Sequence, residues 1–254
     1  MDSAVSSFWG PVNSADWCEK NYTYSLYVAE LFNTISNIPG ILLALVGLIN
    51  SLRQRFEKRF SVLHVSNIVL AIGSMLYHAT LRHMQQQGDE TPMVWEMLLY
   101  FYILYSPDWH YRSTMPTFLF LYGILFAGVH SYVRFGMGFK LHYAILCLLC
   151  IPRMYKYYIH TADKSAKLMA KLYLGSIIIA SGCWLFDRLC CDHIIRWIFN
   201  PQGHALWHVF MGFNSYFANT FLMFCRAQQL GWNPEIKTLL RVLPYVKICK
   251  PKFQ

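Results

Sequence analysis

Charge is what this sequence has least of. Only 14% of its 254 residues are Asp, Glu, Lys or Arg, where a soluble domain of ordinary composition carries roughly 25%. That scarcity argues against a water-soluble globular domain. Acids are scarcer still: 13 against 22 lysines and arginines. There is no internal repeat and no low-complexity tract, which excludes solenoids and tail-like segments. The first residues show no basic stretch ahead of an apolar core, so no cleaved signal peptide is expected. None of the eight cysteines sits in a pattern that suggests a zinc knuckle. Most fall inside apolar runs (Cys147, Cys150, Cys183, Cys225), where free buried thiols are the ordinary state. Cys190 and Cys191 are adjacent and poorly placed to bridge each other, and no pattern argues for a disulfide elsewhere.

What replaces charge is hydrophobicity, at 56% of residues with 17% aromatic and a mean hydropathy of +0.30. It comes in blocks about 20 residues long, the length of a membrane-spanning helix. The blocks lie near 31–52, 61–81, 91–107, 115–133, 141–159, 172–190 and 204–225. The fold class is therefore all-α integral membrane, a seven-transmembrane helix bundle. Pro152, Arg153 and Lys156 interrupt the fifth block. Three regions follow: a polar N-terminal segment (1–30), the helical domain (31–226) and a basic tail (227–254). The net charge of +9 could point to nucleic acid, but the positive-inside rule explains it better. With the N-terminus lumenal and the C-terminus cytosolic, 16 of the 22 cationic residues fall on the cytosolic side and six on the other.

The histidines carry the chemistry. In "HALWH" (204–208) a spacing of four places His204 and His208 on one helix face. This is a metal-ligand spacing, although two interior histidines held by hydrogen bonds would look the same. His78, in "GSMLYHATLRH", lies near the lumenal end of the second span, and the pair lies at the lumenal start of the seventh. Topology thus brings all three to similar depth. Three His ligands to zinc leave a fourth position open, the catalytic rather than the structural pattern. Ser74 stands one turn before His78 on the same face; alone it is an ordinary helix serine. Asp89, in "QQQGDETPM", reads as a helix cap and also as a candidate general base. Asp16, Glu19, Asn21 and Glu30 crowd "SADWCEKNYTYSLYVAE" with hard oxygen ligands suited to calcium, without EF-hand spacing. A capped amphipathic start to the first span is the plainer reading, and "NYT" at Asn21 is also a glycosylation sequon. Asp187 beside Arg188 is an intramembrane ionisable pair, hence either functional or a structural contact. Glu96, seven residues after Asp89, reads as a structural polar group.

Taken together, "DWCEKNY", "AELFNTISN", "GSMLYHATL", "DETPMVWE", "WLFDRLCCD" and "HALWH" resemble the alkaline ceramidase family, from about residue 8 into the tail. "FWGPVNSADWCEKNY" and "NPQGHALWHVF" resemble its plant members most. The resemblance implies a seven-helix intramembrane zinc amidase that cleaves ceramide to a sphingoid base and a fatty acid. Phytoceramide is the first choice of substrate. It further implies zinc on His78, His204 and His208, a catalytic Ser74 and Asp89, and calcium on Asp16, Trp17 (through its carbonyl), Glu19, Asn21 and Glu30. Two other classes compete with this reading. A seven-helix zinc receptor of the adiponectin-receptor type has the opposite orientation and would lack the "DWCEKNY" box. A transporter would show repeats or broken helices at the midplane. The chain ends "KPKFQ", in which Lys250 and Lys252 match the KxKxx retrieval signal read by cytosolic coat proteins. The expected location is the endoplasmic reticulum membrane, with the Golgi as a second site. Beyond the bilayer and its lipid substrate no nucleic-acid partner is expected.

Overall fold

The computed structural model describes residues 8–10, 12, 17–107, 113–133, 136–194 and 200–249. Asp16, Lys250 and Lys252 lie outside them. Helix α1 (Leu31–Ile35) and helix α2 (Ile38–Arg53) form one apolar segment with a break at Ser36 and Asn37. Pro39 at the start of α2 explains the break, since it has no N–H to give the carbonyl four residues back, that of Ile35. Then come α3 (Lys58–Thr80), α4 (His83–Tyr105), α5 (Met115–Val133), α6 (Gly136–His160), α7 (Lys164–Ile194) and α8 (Gly203–Gln229). Helix α3 stops at Leu81, whose φ of 49° is left-handed. Asp163 caps α7, its side chain accepting the Ala166 N–H at 2.7 Å. Pro92 and Pro152 sit inside α4 and α6 without dividing either helix.

Among the described residues five segments are long and apolar enough to cross a membrane: Leu31–Arg53, α3, α5, α6 and most of α7. Their apolar side chains face outward, as Phe118, Leu121 and Leu125 do on α5. The protein is a multi-pass membrane protein. Helices α4 and α8 fall outside that group of five. Each turns polar groups inward: Glu90, Thr91 and Glu96 on α4, and Asn214, Asn219 and Thr220 on α8, are all buried.

Helix α8 is the hub, packing along α7 and α2, while α3 packs between α2 and α4. The core sits where α3, α4 and α8 meet, with Phe60, Leu63, Leu104, Phe221 and Phe224 fully enclosed. Among the described residues α6 and α7, though consecutive, form no comparable interface.

The basic tail differs from a plain extension of the chain. Strands β1 (Asn233–Leu239) and β2 (Leu243–Cys249) pair antiparallel, with Leu239 opposite Leu243. Alternation explains the hairpin: Val246 is fully buried and Ile236 and Ile248 pack beside it. The hairpin lies back along α8, where the Tyr216 hydroxyl donates to the Pro244 carbonyl at 2.6 Å, and the Ile248 N–H donates to Gln54, just after α2.

Glu57, just before α3, ties the same end of the bundle to the end of α8. It accepts from Arg226 at 3.1–3.2 Å and from Arg59 at 2.7 Å. Partial burial alone would raise the Glu57 carboxyl, yet Arg226 and Arg59 hold it below its ordinary 4.5. A carboxyl depressed on folding adds stability above its unfolded value and loses it as pH falls through the folded one. Glu57→Gln should therefore lower Tm at neutral pH, with the gap to the parent closing in acid below 4.5. Thermal unfolding in detergent across that range checks this, and a gap that persists in acid would refute the ion-pair account.

Candidate active site

Two helices cross at glycine to build the centre of the site. A Cβ on Gly73 of α3 would stand 2.2 Å from the Gly88 carbonyl oxygen of α4. Only a residue without a side chain permits that approach. Their neighbours Ser74 and Asp89 consequently meet, the Ser74 hydroxyl bonding to the Asp89 side chain. One turn after Ser74, His78 is wholly buried.

Helix α8 supplies the other two imidazoles. Its start depends on Gly203, where a Cβ would lie 2.7 Å from the Cys183 carbonyl of α7. One ligand atom from each of His78, His204 and His208 falls within 4.8 Å of the others, a group able to hold a metal ion. His78 Nδ1 lies 2.6 Å from Glu30 Oε2, with both side chains fully enclosed. His208 Nδ1 lies 3.1 Å from the Asn33 carbonyl and 2.8 Å from Ser36 Oγ. A proton on each Nδ1 suits these acceptors and leaves the Nε2 lone pairs for the centre. Among the described residues, His78 Nε2 and His204 Nδ1 are buried with no hydrogen-bond partner. Such nitrogens are costly to bury, and a cation among them would satisfy them. Ser74 Oγ stands 3.5 Å from His208 Nε2.

The N-terminal segment covers the histidines. Trp17 stacks on His204 with ring centroids 3.5 Å apart. Cys18 forms a disulfide with Cys191 near the end of α7, Cα atoms 5.3 Å apart. Sequence alone gave no sign of this bond, whose partners are 173 residues apart. Asp187 accepts the backbone N–H groups of His204 at 3.2 Å and Cys18 at 3.4 Å, so its role at this point is to join α7, α8 and the segment.

A cavity of about 1010 Å³ opens from Ser74, Asp89, His204 and His208 into the bundle, running between α6 and α7 past Leu148 and Ile177. A sequence model of the ceramidase family matches residues 10–247. The chain belongs to the ceramidase family. Its sequence is 73% identical to the alkaline ceramidase of Arabidopsis thaliana over the whole of both chains. Alkaline ceramidase 3 of Mus musculus is 28% identical over 94% of each chain. An alkaline ceramidase of Saccharomyces cerevisiae is 29% identical over 85% of this chain and 78% of its own.

In this ceramidase the acidic residues of the N-terminal segment gather at the start of α1. Glu19 accepts the N–H groups of Phe32 at 2.8 Å and Asn33 at 2.9 Å, which caps that helix from outside. Burial raises the Glu19 carboxyl, the Glu30 charge adds to that, and the backbone N–H groups oppose it. Asn33 Nδ2 donates to Glu30 Oε2 at 3.0 Å. The Asn21 side-chain oxygen is buried, and Trp17 precedes the disulfide. Asp16, the fifth residue of the expected calcium set, is outside the described residues.

Sequence reasoning missed Glu90 and Lys140 and took Glu96 only as a structural polar group, yet all three line the same cavity. Glu90 bonds to His130 of α5 at 2.7 Å and to Gln86 at 3.0 Å. Lys140 and Arg188 also line the cavity. Glu96 reaches it two helical turns beyond Asp89, where Ser215 donates to it at 3.2 Å.

The glycine crossing yields a direct test. Gly73→Ala must push α3 off the α4 backbone, whereas a Cβ on Gly88 meets nothing within 4 Å. Overpacking of this kind costs about 1–3 kcal/mol. Gly73→Ala should lower Tm by several degrees and depress activity, and Gly88→Ala should leave Tm equal or slightly higher. Equal behaviour of the two variants in a thermal melt would rule out the crossing as the constraint.

Proposed function

We propose that this protein is a zinc-dependent intramembrane amidase that hydrolyses ceramide, with phytoceramide preferred, to a sphingoid base and a free fatty acid. The observation that carries the reading is the three-histidine cluster beside Ser74 and Asp89 at the end of a lipid-sized cavity. The names of the relatives support the substrate class, and the receptor reading has no such support. In this reading the bundle crosses the membrane seven times, with α4 and α8 as the two polar-cored spans. The N-terminus is lumenal and the C-terminus cytosolic, in keeping with the charge split. A disulfide at Cys18 fits an oxidising lumen.

The residues divide the work as follows. Zinc, when held by His78, His204 and His208, supplies a Lewis acid that brings the pKa of water to about 7 and polarises a carbonyl. Glu30 fixes the His78 ring, as carboxylates behind metal-binding histidines do. Substrate slides in between α6 and α7, so its chains stay in apolar surroundings while the amide reaches the histidines. Asp89 takes a proton from the attacking water as the C–O bond forms. Ser74 donates to the oxyanion. The C–N bond then breaks, and Asp89 returns the proton to the leaving amine. Calcium bound by Asp16, Trp17 (through its carbonyl), Glu19, Asn21 and Glu30 would neutralise the acidic start of α1. Through Glu30 it would steady His78.

Metal content measured beside ceramide hydrolysis tests the assignment. His204→Ala and His208→Ala should lose zinc and activity together. Asp89→Asn should keep zinc and lose about 10²–10⁴-fold in rate, and Ser74→Ala should keep zinc and lose about 10²–10³-fold. Calcium should raise Tm of the parent, since a ligand of the folded state stabilises it by mass action, and should raise Tm less in Glu19→Ala. Full activity in a zinc-free His204→Ala protein would sink the metal mechanism, and indifference of the parent to calcium would sink the second site.

Location rests on Lys250 and Lys252. Replacing both with serine should move the protein from the endoplasmic reticulum towards the Golgi in imaging. An unmoved protein would remove the retrieval signal, and with it the proposed contact with coat proteins.

A further inference from the structure

Hydrolysis of an amide turns a neutral lipid into two charged ones. A carboxylate released in an apolar cavity needs a counter-charge, because an unpaired anion is costly away from water. Three cations line the cavity that also holds Ser74, Asp89 and the histidines: Lys171 towards the start of α7, and Lys140 of α6 and Arg188 towards the end of α7, nearer the histidines. Lys140 Nζ sits 5.8 Å from the Trp184 ring centroid and makes no hydrogen bond or ion pair among the described residues. Glu90, the acid whose charge reaches Lys140, already bonds through both oxygens to His130 and Gln86. The Arg188 guanidinium lies 5.0 Å from the centre of the Trp17 ring, and Trp17 stacks on His204. One indole ring thus joins Arg188 to the histidine cluster. Arg188 also lies within electrostatic range of Lys140. Two like charges at the edge of an apolar cavity repel; Asp187 beside Arg188 offsets part of that, and Lys140 is left as the cation with no ion pair among the described residues.

We propose that Lys140 and Arg188 form a binding site for the carboxylate of a long-chain fatty acid, the released product, at the point where it leaves between α6 and α7. The inference rests on the amidase reading for its ligand. A neutral ceramide offers Lys140 no counter-charge, whereas the product carboxylate does, with Arg188 as its second contact. The two cations come from the two helices that flank the opening, so one carboxylate would bridge them while the chain lies along the gap. Product bound there holds the opening occupied, and free fatty acid inhibits turnover.

The test is binding of radiolabelled palmitate to full-length, zinc-loaded protein in phosphatidylcholine nanodiscs, with hexadecanol as the uncharged chain of equal length. Lys140→Met should weaken palmitate binding about tenfold, as expected for loss of one charge-assisted hydrogen bond. It should leave hexadecanol binding and zinc content as in the parent. Lys140→Arg should restore palmitate binding, and Arg188→Gln should weaken it. Palmitate should also inhibit the parent at lower concentration than it inhibits Lys140→Met. Equal loss of both ligands would show an effect of cavity shape and overturn the site, as would unchanged palmitate binding. Displacement of palmitate by phosphatidylglycerol in the nanodisc would assign the pair to lipid phosphate instead and overturn it too. Charge-dependent palmitate binding in a protein that never cleaves ceramide would sink the amidase reading and leave the site standing. Ceramide turnover with charge-blind binding would do the reverse.

Discussion

The buried pair between Glu30 and His78 is the contact on which the site depends. Both side chains are wholly enclosed and their facing atoms are 2.6 Å apart. A buried carboxylate left alone is costly, and so is a buried imidazole with an unsatisfied N–H; together they satisfy one another. The pair fixes which nitrogen of His78 faces the other histidines. It also fastens the chain ahead of α1 to α3, reinforced by backbone bonds from Ala29 to Ala79 and from Glu30 to His78. Glu19 then holds the start of α1, and Asn33 of that helix and Ser36 just after it face His208. A few residues before α2 therefore orient two of the three imidazoles.

Much of the site was legible because helices are periodic and membranes fix depth. The spacing in "HALWH" put His204 and His208 on one face, and the order of the spans brought His78 to the same level; the structure places the three together. Ser74 was legible for the same reason, one turn from His78. Asp89 read as a cap, yet it stands inside α4 rather than at its start, drawn to Ser74 by the glycine crossing.

What stayed hidden depends on contacts between distant parts of the chain. No local pattern pairs Cys18 with Cys191, or lays Trp17 on His204. The tail hairpin was missed because its alternation is short and its turn lacks the usual signal. Leu240 and Arg241 carry φ values of 51° and 61°, a geometry normally given to Asn-Gly. Polar cores also disguise spans. Asn67, Glu96 and Ser215 lie two turns beyond Ser74, Asp89 and His208 on α3, α4 and α8, so three helices repeat a polar level deeper in the same cavity. Asn67 accepts from Asn219 at 2.9 Å, which in turn accepts from Tyr100 at 2.6 Å. Those groups lower the apolar character of α4 and α8 while strengthening the bundle from within.

On the proposed route, the sparse contact between α6 and α7 sets how this protein would meet its ligand. A molecule arriving through that gap never dissolves in water, so its molar concentration in the sample has little bearing on occupancy. What governs filling of the cavity is mole fraction within the bilayer. Adding inert lipid would empty the site without removing any ligand, and two membranes with equal total ligand would load the protein differently. Encounter is confined to two dimensions, and saturation belongs to the membrane rather than to the solution.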